Sequence, residues 1–216
     1  MFGLPEQNIE QALNDLLMAS KQKPTHISWY QLTLEPNTLF YKQPPVLPAD
    51  DQIWEMQLQG QKFLQEQGYQ QYEVSAYAHS NLPCRHNLNY WQFGDYIGIG
   101  AGAHGKLTSM EEQCVYRTMK HKHPKRYLSE TDTFCQSEIR VSEKDLTFEF
   151  MLNALRLNKP IAFDLFENRT GISRSKIGEP LEKLVAENFV DVTEVNFSLT
   201  SLGRRFLNDV LVELLP

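Results

Sequence analysis

The sequence predicts an α/β fold with a mostly parallel sheet, followed by a small helical domain with the outline of a winged helix-turn-helix. Strand-like and helix-like segments alternate over residues 9–103 at a spacing that is typical of strand–helix–strand units. From Glu143 onward, helical segments surround one short predicted hairpin. A basic, irregular segment separates the two parts, and we therefore predict domains at residues 1–130 and 131–216.

The first part begins with a helix after Asn8, a favoured N-cap residue, because the apolar residues that follow recur at helical spacing. Residues 25–35 are rich in β-branched and aromatic side chains and predict a buried strand. The acidic end of the loop PPVLPADD predicts the start of a second helix, which stops at Gly68. Two more strands are predicted at 72–78 and 96–103.

The second part is predicted from three helical stretches and a hairpin, namely EKDLTFEFMLNALRL, SKIGEPLEKLVAENF, VDVTEVNFSLTS and LGRRFLNDVLVELL. In a DNA-binding winged helix, the second of these stretches would be the recognition helix. Taken from Ile172 as ISRSKIGEPLEKLVAENF, this region carries as many acids as bases, and it contains Pro180. Since a DNA reader needs net positive charge on that helix, the pattern argues against DNA binding.

The composition narrows the function classes. A net charge of -6 and a pI near 5.5 argue against a protein that binds nucleic acid over its whole surface. Three cysteines without framework spacing indicate free thiols, and no apolar run approaches the roughly 20 residues of a membrane span. We expect a cytoplasmic protein without an integral membrane segment. Residues 114–127 are the local exception, since this basic stretch is either a solvated loop or a site for an anion or a partner.

A metal site is the first interpretation that Cys84 and His86 suggest. Structural zinc needs four ligands, usually as two closely spaced pairs. The chain offers no second pair of that kind, because Cys114 and Cys135 stand alone. The residues themselves therefore predict no metal site in this chain.

Alternating glycines form the second conspicuous pattern. Gly98, Gly100 and Ala103 satisfy the G-x-G-x-x-G/A fingerprint, but no helix-forming sequence follows, so a dinucleotide site is not predicted. A strand face without side chains lies against another backbone or against a flat ligand, and both interpretations stay open. His104 follows at the carboxyl end of this predicted strand, which is where ligands bind in parallel sheets.

Aromatic and polar residues crowd together between positions 85 and 96. They could be core residues, or they could line a site for a large planar ligand with polar edges. His86 offers axial ligation or proton transfer, while Arg85 and Asn87 can hold a carboxylate.

Longer motifs occur together in this chain, in order: MFGLPEQN, HISWYQLTLEPNTLFY, YEVSAYAHSNLPCRHNLNYW, YIGIGAGAHG and FEFMLNALRL…LFENRTGI…LGRRFLNDVL. Together they resemble the oxygen-independent coproporphyrinogen III oxidase family of radical S-adenosylmethionine (radical SAM) proteins, and most closely its haem-chaperone branch, HemW. The resemblance covers nearly all 216 residues. This chain differs from the family at Glu6 and Asn37, where the family usually has glycine. It also differs at Ala76, where the family commonly has asparagine.

The resemblance implies the second part of a radical SAM (partial TIM-type) barrel, followed by a HemN-type winged-helix-like C-terminal domain. It implies a function in tetrapyrrole (haem) metabolism, as a haem chaperone or a porphyrinogen oxidase, with S-adenosylmethionine and a 4Fe-4S cluster as cofactors. The family's CxxxCxxC cluster motif lies upstream of the segment matched here, so we expect a fragment that is not active as an enzyme alone. Implied partners are haem or porphyrinogen, the N-terminal half of the barrel and haem-accepting proteins.

The resemblance also implies two sets of site residues, while no catalytic residue is assigned. The S-adenosylmethionine side would comprise Gln31, Thr33, Gly100, Gly102, Ala103 and His104. The side for haem or another tetrapyrrole substrate would comprise His86, Arg85, Asn87, Tyr90 and Trp91. The alternative function is a winged-helix module that binds nucleic acid or protein.

Overall fold

The computed structural model describes residues 1–80, 82–129 and 133–215. The chain divides into two compact units, Met1–Arg85 and His86–Pro216. Each unit has its own cluster of buried apolar side chains. The two units are therefore described separately.

The first unit contains three helices and three strands, which are α1 (Ile9–Lys21), β1 (His26–Ser28), α2 (Leu39–Lys42), α3 (Asp50–Glu66), β2 (Gln70–Glu73) and β3 (Ala76–Ala78). The predicted start of α1 is confirmed, because the Asn8 side chain accepts a hydrogen bond from the Gln11 N–H and the Gln11 Oε1 accepts one from the Asn8 N–H. Gly68 follows α3 with φ of 85°, the left-handed conformation expected where this helix ends.

The sheet of the first unit runs β1-β3-β2, and both of its strand pairs are antiparallel. The prediction of a mostly parallel sheet is therefore wrong for these strands. The predicted strand at 72–78 is instead a hairpin whose strands are joined at Val74 and Ser75, and so short a connection allows only antiparallel pairing. The predicted strand at 25–35 ends at Ser28, and the parallel bridge between Gln31 and Phe2 lies outside it.

Trp29 lies at the centre of the first unit's core, with 3% of its surface exposed. Its ring centroid lies 4.3 Å from that of Phe2. Its indole also occupies the space beside Gly60 of α3, where an added Cβ would lie 1.9 Å from the ring. A residue without a side chain is thus required for this helix to pack on the tryptophan.

Two positions at which the chain differs from the family it resembles have a left-handed backbone. Glu6 and Asn37 both have positive φ, 59° and 66°. Asparagine adopts this conformation readily, whereas glutamate does so at a larger steric cost. Ala76 is buried in β3.

The second unit begins with a helix and an antiparallel sheet. From Arg85 onward, its first elements are α4 (Arg85–Trp91), β4 (His104–Ser109), β5 (Cys114–Lys120), α5 (Pro124–Ser129) and β6 (Cys135–Arg140). The sheet order is β4-β5-β6. One isolated antiparallel bridge joins Tyr96 to Lys106 at the β4 edge.

The strand predicted at residues 96–103 is not present, and this prediction is wrong. Beyond Tyr96 the chain leaves the sheet and turns, because Gly100 and Gly102 have φ of 107° and 73°, values that a β-strand does not allow. Regular pairing resumes at His104 as the first residue of β4.

The remaining elements have the order of a winged helix-turn-helix, which the sequence predicted. They are α6 (Glu143–Ala154), β7 (Ile161–Ala162), α7 (Phe163–Thr170), a 3₁₀ turn (Arg174–Ile177), α8 (Gly178–Ala186), β8 (Val190–Val192), β9 (Asn196–Leu199), α9 (Ser201–Arg205) and α10 (Leu207–Glu213). The sheet order is β7-β9-β8, with antiparallel pairs. Pro180 lies in the first turn of α8, where its missing N–H costs no helical hydrogen bond.

The buried cluster of the second unit extends across the predicted domain boundary at residue 130. Phe93 and Val115 belong to the same cluster as Phe150 and Phe166. The ring centroids of Phe93 and Phe150 are 5.7 Å apart. The boundary between domains 1–130 and 131–216 stays a prediction.

Candidate functional site

Helix α4 presents His86 and Tyr90 on one face, because residues four apart in a helix lie above one another. The two rings meet edge to face, with centroids 4.9 Å apart. The His86 side chain is exposed, and its imidazole makes no hydrogen bond with the described part of the chain. This leaves the ring nitrogens of His86 accessible to a ligand.

The neighbouring face of α4 carries Asn87 and Trp91. The Trp91 ring contacts another side chain of this protein. The Arg156 guanidinium carbon lies 4.3 Å from the centroid of the Trp91 ring. Such a cation–π contact stabilises the helix against the C-terminal part of the unit. The Trp91 indole N–H is buried and has no hydrogen-bond partner among the described residues. The roles predicted for Asn87 and Trp91 in ligand binding stay predictions.

Tyr96 connects the His86–Tyr90 face to the sheet. Its ring centroid lies 4.5 Å from that of Tyr90, and its hydroxyl accepts a hydrogen bond of 2.9 Å from Arg117 Nη1. Arg117 on β5 also donates from Nε to Glu149 Oε2 of α6 at 2.9 Å. Glu149 thus holds the Arg117 guanidinium in place, and the bond from Arg117 orients the Tyr96 hydroxyl.

Lys106 fixes the chain just before the glycine-rich segment. Its fully buried ammonium donates to Asp95 Oδ1 at 2.8 Å and to the Phe93 carbonyl at 3.1 Å. Thr108 donates to Asp95 from both its backbone N–H and its hydroxyl. The ion pair therefore ties residues 93–95 to β4.

The pKa values of this pair move for different reasons. Burial lowers the pKa of Lys106, and the hydrogen bond and charge of Asp95 oppose that shift only in part. Burial works against ionisation of Asp95 as well, but hydrogen bonds from Lys106 and Thr108 together with the lysine charge outweigh it, so the pKa of Asp95 is lowered. Asp95 is thus stabilised as a carboxylate.

In the glycine-rich segment (98–102), one glycine packs closely against backbone and another lies beside open space. A Cβ at Gly98 would lie 2.2 Å from the His104 carbonyl oxygen, so close backbone packing explains this glycine. A Cβ at Gly100 would meet no atom within 4 Å. The Gly100 N–H donates to the Tyr127 hydroxyl at 3.2 Å, and His104 is exposed. Open space therefore exists beside Gly100 but not beside Gly98.

The other predicted S-adenosylmethionine residues divide between the two units. Gly102 and Ala103 lie in the turn that precedes β4. Gln31 and Thr33 lie in the first unit, and both are exposed. Contacts of these residues with S-adenosylmethionine stay a prediction. Arg85, which is predicted for the haem side, is exposed at the start of α4.

Metal-ligating side chains do not cluster within residues 1–80, 82–129 and 133–215, where no three of the types His, Cys, Asp and Glu are grouped to hold an ion. Cys114 is buried, while Cys84 and Cys135 are half-buried. None of the helices described is long and apolar enough to cross a membrane.

Sequence reasoning missed the residues that hold the candidate site together. Lys106 and Glu149 received no role, because the sequence HGKLTS of β4 has no apolar pattern that would mark Lys106 as buried. The partners of Tyr96 and Trp91 could not be read from local sequence, since Arg117 and Arg156 follow them by more than 20 residues.

Comparison with known proteins shows what this chain is similar to. Residues 141–206 match the family model described as the HemN C-terminal domain. Over 211 residues the chain is 45% identical to the heme chaperone HemW of Haemophilus influenzae, covering 98% of this chain and 54% of that protein. It is 44% identical to HemW of Escherichia coli, of which it covers 55%.

The chain matches the C-terminal portion of HemW. The predicted family resemblance is thereby confirmed, and the chain spans about half the length of these curated HemW relatives. The solved structure of coproporphyrinogen III oxidase (HemN) from Escherichia coli, whose title calls it a radical SAM enzyme, superposes with a TM-score of 0.72 at 19% identity. That match covers 99% of this chain and 53% of the HemN chain, and it confirms the predicted fold class as the C-terminal part of the HemN fold.

Proposed function

We propose that this chain is the tetrapyrrole-binding C-terminal portion of a HemW-type haem chaperone, and that α4 contacts the haem. The similarity to proteins named heme chaperone supports the function, because it extends over 98% of this chain. The exposed imidazole of His86 carries the site assignment, because a nitrogen ligand for haem iron must be accessible and neutral.

The residues around His86 suit a planar ligand with carboxylate edges. Tyr90 supports the imidazole from one side and is itself held by Tyr96. Arg85, exposed at the start of the same helix, offers a guanidinium to a propionate. Trp91 contributes indirectly in this proposal, by anchoring α4 through Arg156.

For S-adenosylmethionine we propose contacts at Gly100, Gly102, Ala103 and His104 of the second unit. The open space at Gly100 and the exposed His104 side chain support this fit. When bound beside a reduced 4Fe-4S cluster, S-adenosylmethionine supplies radical chemistry in this family. The cysteines described here do not form a group suited to a metal cluster, so no step is assigned to such a cluster in this chain.

Haem titration tests the proposal. Haem should bind to the chain with a Soret shift typical of nitrogen ligation. His86→Ala should weaken binding about tenfold to a hundredfold, which corresponds to about 1–3 kcal/mol for one lost ligand contact. His123→Ala is the matched control, because His123 is also an exposed histidine of the second unit. Equal affinity of wild type and His86→Ala would contradict the assignment.

Two further measurements separate the alternatives. His104→Ala should leave haem affinity unchanged, and a collapse of haem binding in that variant would exchange the two assignments. Titration with duplex DNA at low salt tests the winged-helix alternative. We expect no saturable DNA binding, because α8 carries Glu179 and Glu182 where a DNA reader needs positive charge.

A further inference from the structure

The winged-helix part of the second unit contains a groove that the proposed haem site does not use. It has a volume of about 480 Å³ and lies between α8 and the β8–β9 hairpin. Its walls are mainly apolar, formed by Phe163, Leu181, Val185 and Val192. Val185 and Val192 are 41% and 43% exposed, so the groove is open to solvent along both of its walls.

The charged residues of the groove differ in whether they are already paired. Arg174 is engaged within the protein, because its Nη1 donates to the Glu194 carbonyl at 2.9 Å and its guanidinium lies over the Phe163 ring. Glu182 on α8 and Glu194 in the hairpin turn flank the apolar walls. Neither carboxylate forms an ion pair with a residue in the described part of the chain.

The apolar walls and the two unpaired carboxylates determine which kind of molecule can bind in this groove. In DNA-binding winged helices, the helix equivalent to α8 enters the major groove, but two unpaired carboxylates at this position repel phosphates. An apolar floor with an acidic rim instead complements a segment with apolar residues on one side and lysine or arginine on the other. From Gly178 to Val185, α8 offers about 10 Å of surface, enough for about two turns of a docked helix.

We propose that the groove between α8 and the β8–β9 hairpin docks a basic amphipathic helix of a partner protein. The apolar side chains of that helix fill the space between Val185 and Val192. Its lysine or arginine side chains pair with Glu182 and Glu194. The site is independent of haem binding by α4, so either proposal can fail alone.

Fluorescence anisotropy with a labelled 14-residue Leu/Lys amphipathic peptide tests the docking site, beside the same peptide with Glu in place of Lys. The chain should bind the Lys peptide saturably in a 1:1 complex. Val185→Ser with Val192→Ser, and separately Glu182→Lys with Glu194→Lys, should each weaken binding at least tenfold. The charge-reversed variant should also gain affinity for the Glu peptide.

Matched controls distinguish docking from general attraction to an acidic protein. Glu187→Lys changes an exposed acid at the end of α8 outside the groove, and Val212→Ser changes an exposed valine on α10. Both should bind the Lys peptide within twofold of wild type. Far-UV circular dichroism checks that every variant is folded, and the substituted side chains are all exposed.

Several outcomes would overturn the docking site. They are equal losses in the control variants, no saturable binding up to millimolar peptide, and preference of the wild-type chain for the Glu peptide. Methyl NMR gives a second measurement, because shifts on peptide addition should concentrate at Val185 and Val192.

Discussion

At the scale of the residue, the ion pair of Lys106 and Asp95 fixes the position of the chain just before the glycine-rich segment. Lys106 is fully buried, and its contacts are to Asp95 and the Phe93 carbonyl. Asp95→Ala should lower the free energy of unfolding by about 2–3 kcal/mol, because it leaves a buried ammonium with one neutral acceptor. Urea unfolding monitored by circular dichroism measures this loss, and Glu111→Gln on the exposed β4–β5 turn should change it little.

The same pair predicts a pH dependence. The pKa of Asp95 is lowered in the folded chain, so its stabilisation is complete above the unfolded-state value of about 3.9 and is lost as the pH falls through the lower folded value. Between pH 6 and pH 3, the wild-type chain should therefore lose more unfolding free energy than Asp95→Asn. An equal loss in both proteins would show that Asp95 has an ordinary pKa.

At the scale of the element, two helical glycines that look alike in sequence should respond in opposite directions to alanine. Gly60→Ala on α3 places a Cβ 1.9 Å from the Trp29 ring, so the helix must move away from its core residue. It should destabilise the chain by about 2 kcal/mol, even though alanine is favoured by about 1 kcal/mol within a helix. Gly178→Ala at the start of α8 meets no atom within 4 Å and should stabilise by up to about 1 kcal/mol.

Urea midpoints of the two variants check this contrast. Tryptophan fluorescence should also change in Gly60→Ala, since the displaced helix packs on Trp29. Stabilisation by Gly60→Ala would mean that α3 and Trp29 do not approach each other this closely.

At the scale of the whole molecule, the buried cluster of the second unit makes β4 and β5 part of the C-terminal fold. Phe93 and Val115 pack with Phe150, and β5 pairs with β6. The fragment 86–216 should therefore unfold cooperatively, and 131–216 should be less stable by at least about 3 kcal/mol, since it lacks two buried side chains worth about 1.5–3 kcal/mol each. Equal stability of the two fragments, measured by urea unfolding, would instead support a domain that begins at residue 131.

The sequence by itself determined the features that depend on a few neighbouring residues, such as helix caps and periodicity. The capping residue Asn8 set the start of α1, and the helix–strand–helix order after Glu143 followed from periodicity and turn residues within each segment. The motifs around His86 predicted the similarity to HemW before any contact was known, because the order of such residues along the chain is itself the signal.

Tertiary structure decided the rest. Alternating glycines over 98–102 looked like a strand, but Gly100 and Gly102 turn the chain, with backbone angles that residue names do not fix. The role of Trp91 depends on Arg156, and that of Tyr96 on Arg117, residues brought close by folding alone. Pairings between distant residues depend on the path of the whole chain, whereas caps and periodicity depend on a few neighbours. The sequence therefore predicted the capped start of α1, the winged-helix order after Glu143 and the similarity to HemW, but neither the antiparallel pairing of β1, β2 and β3 nor the contacts that build the site.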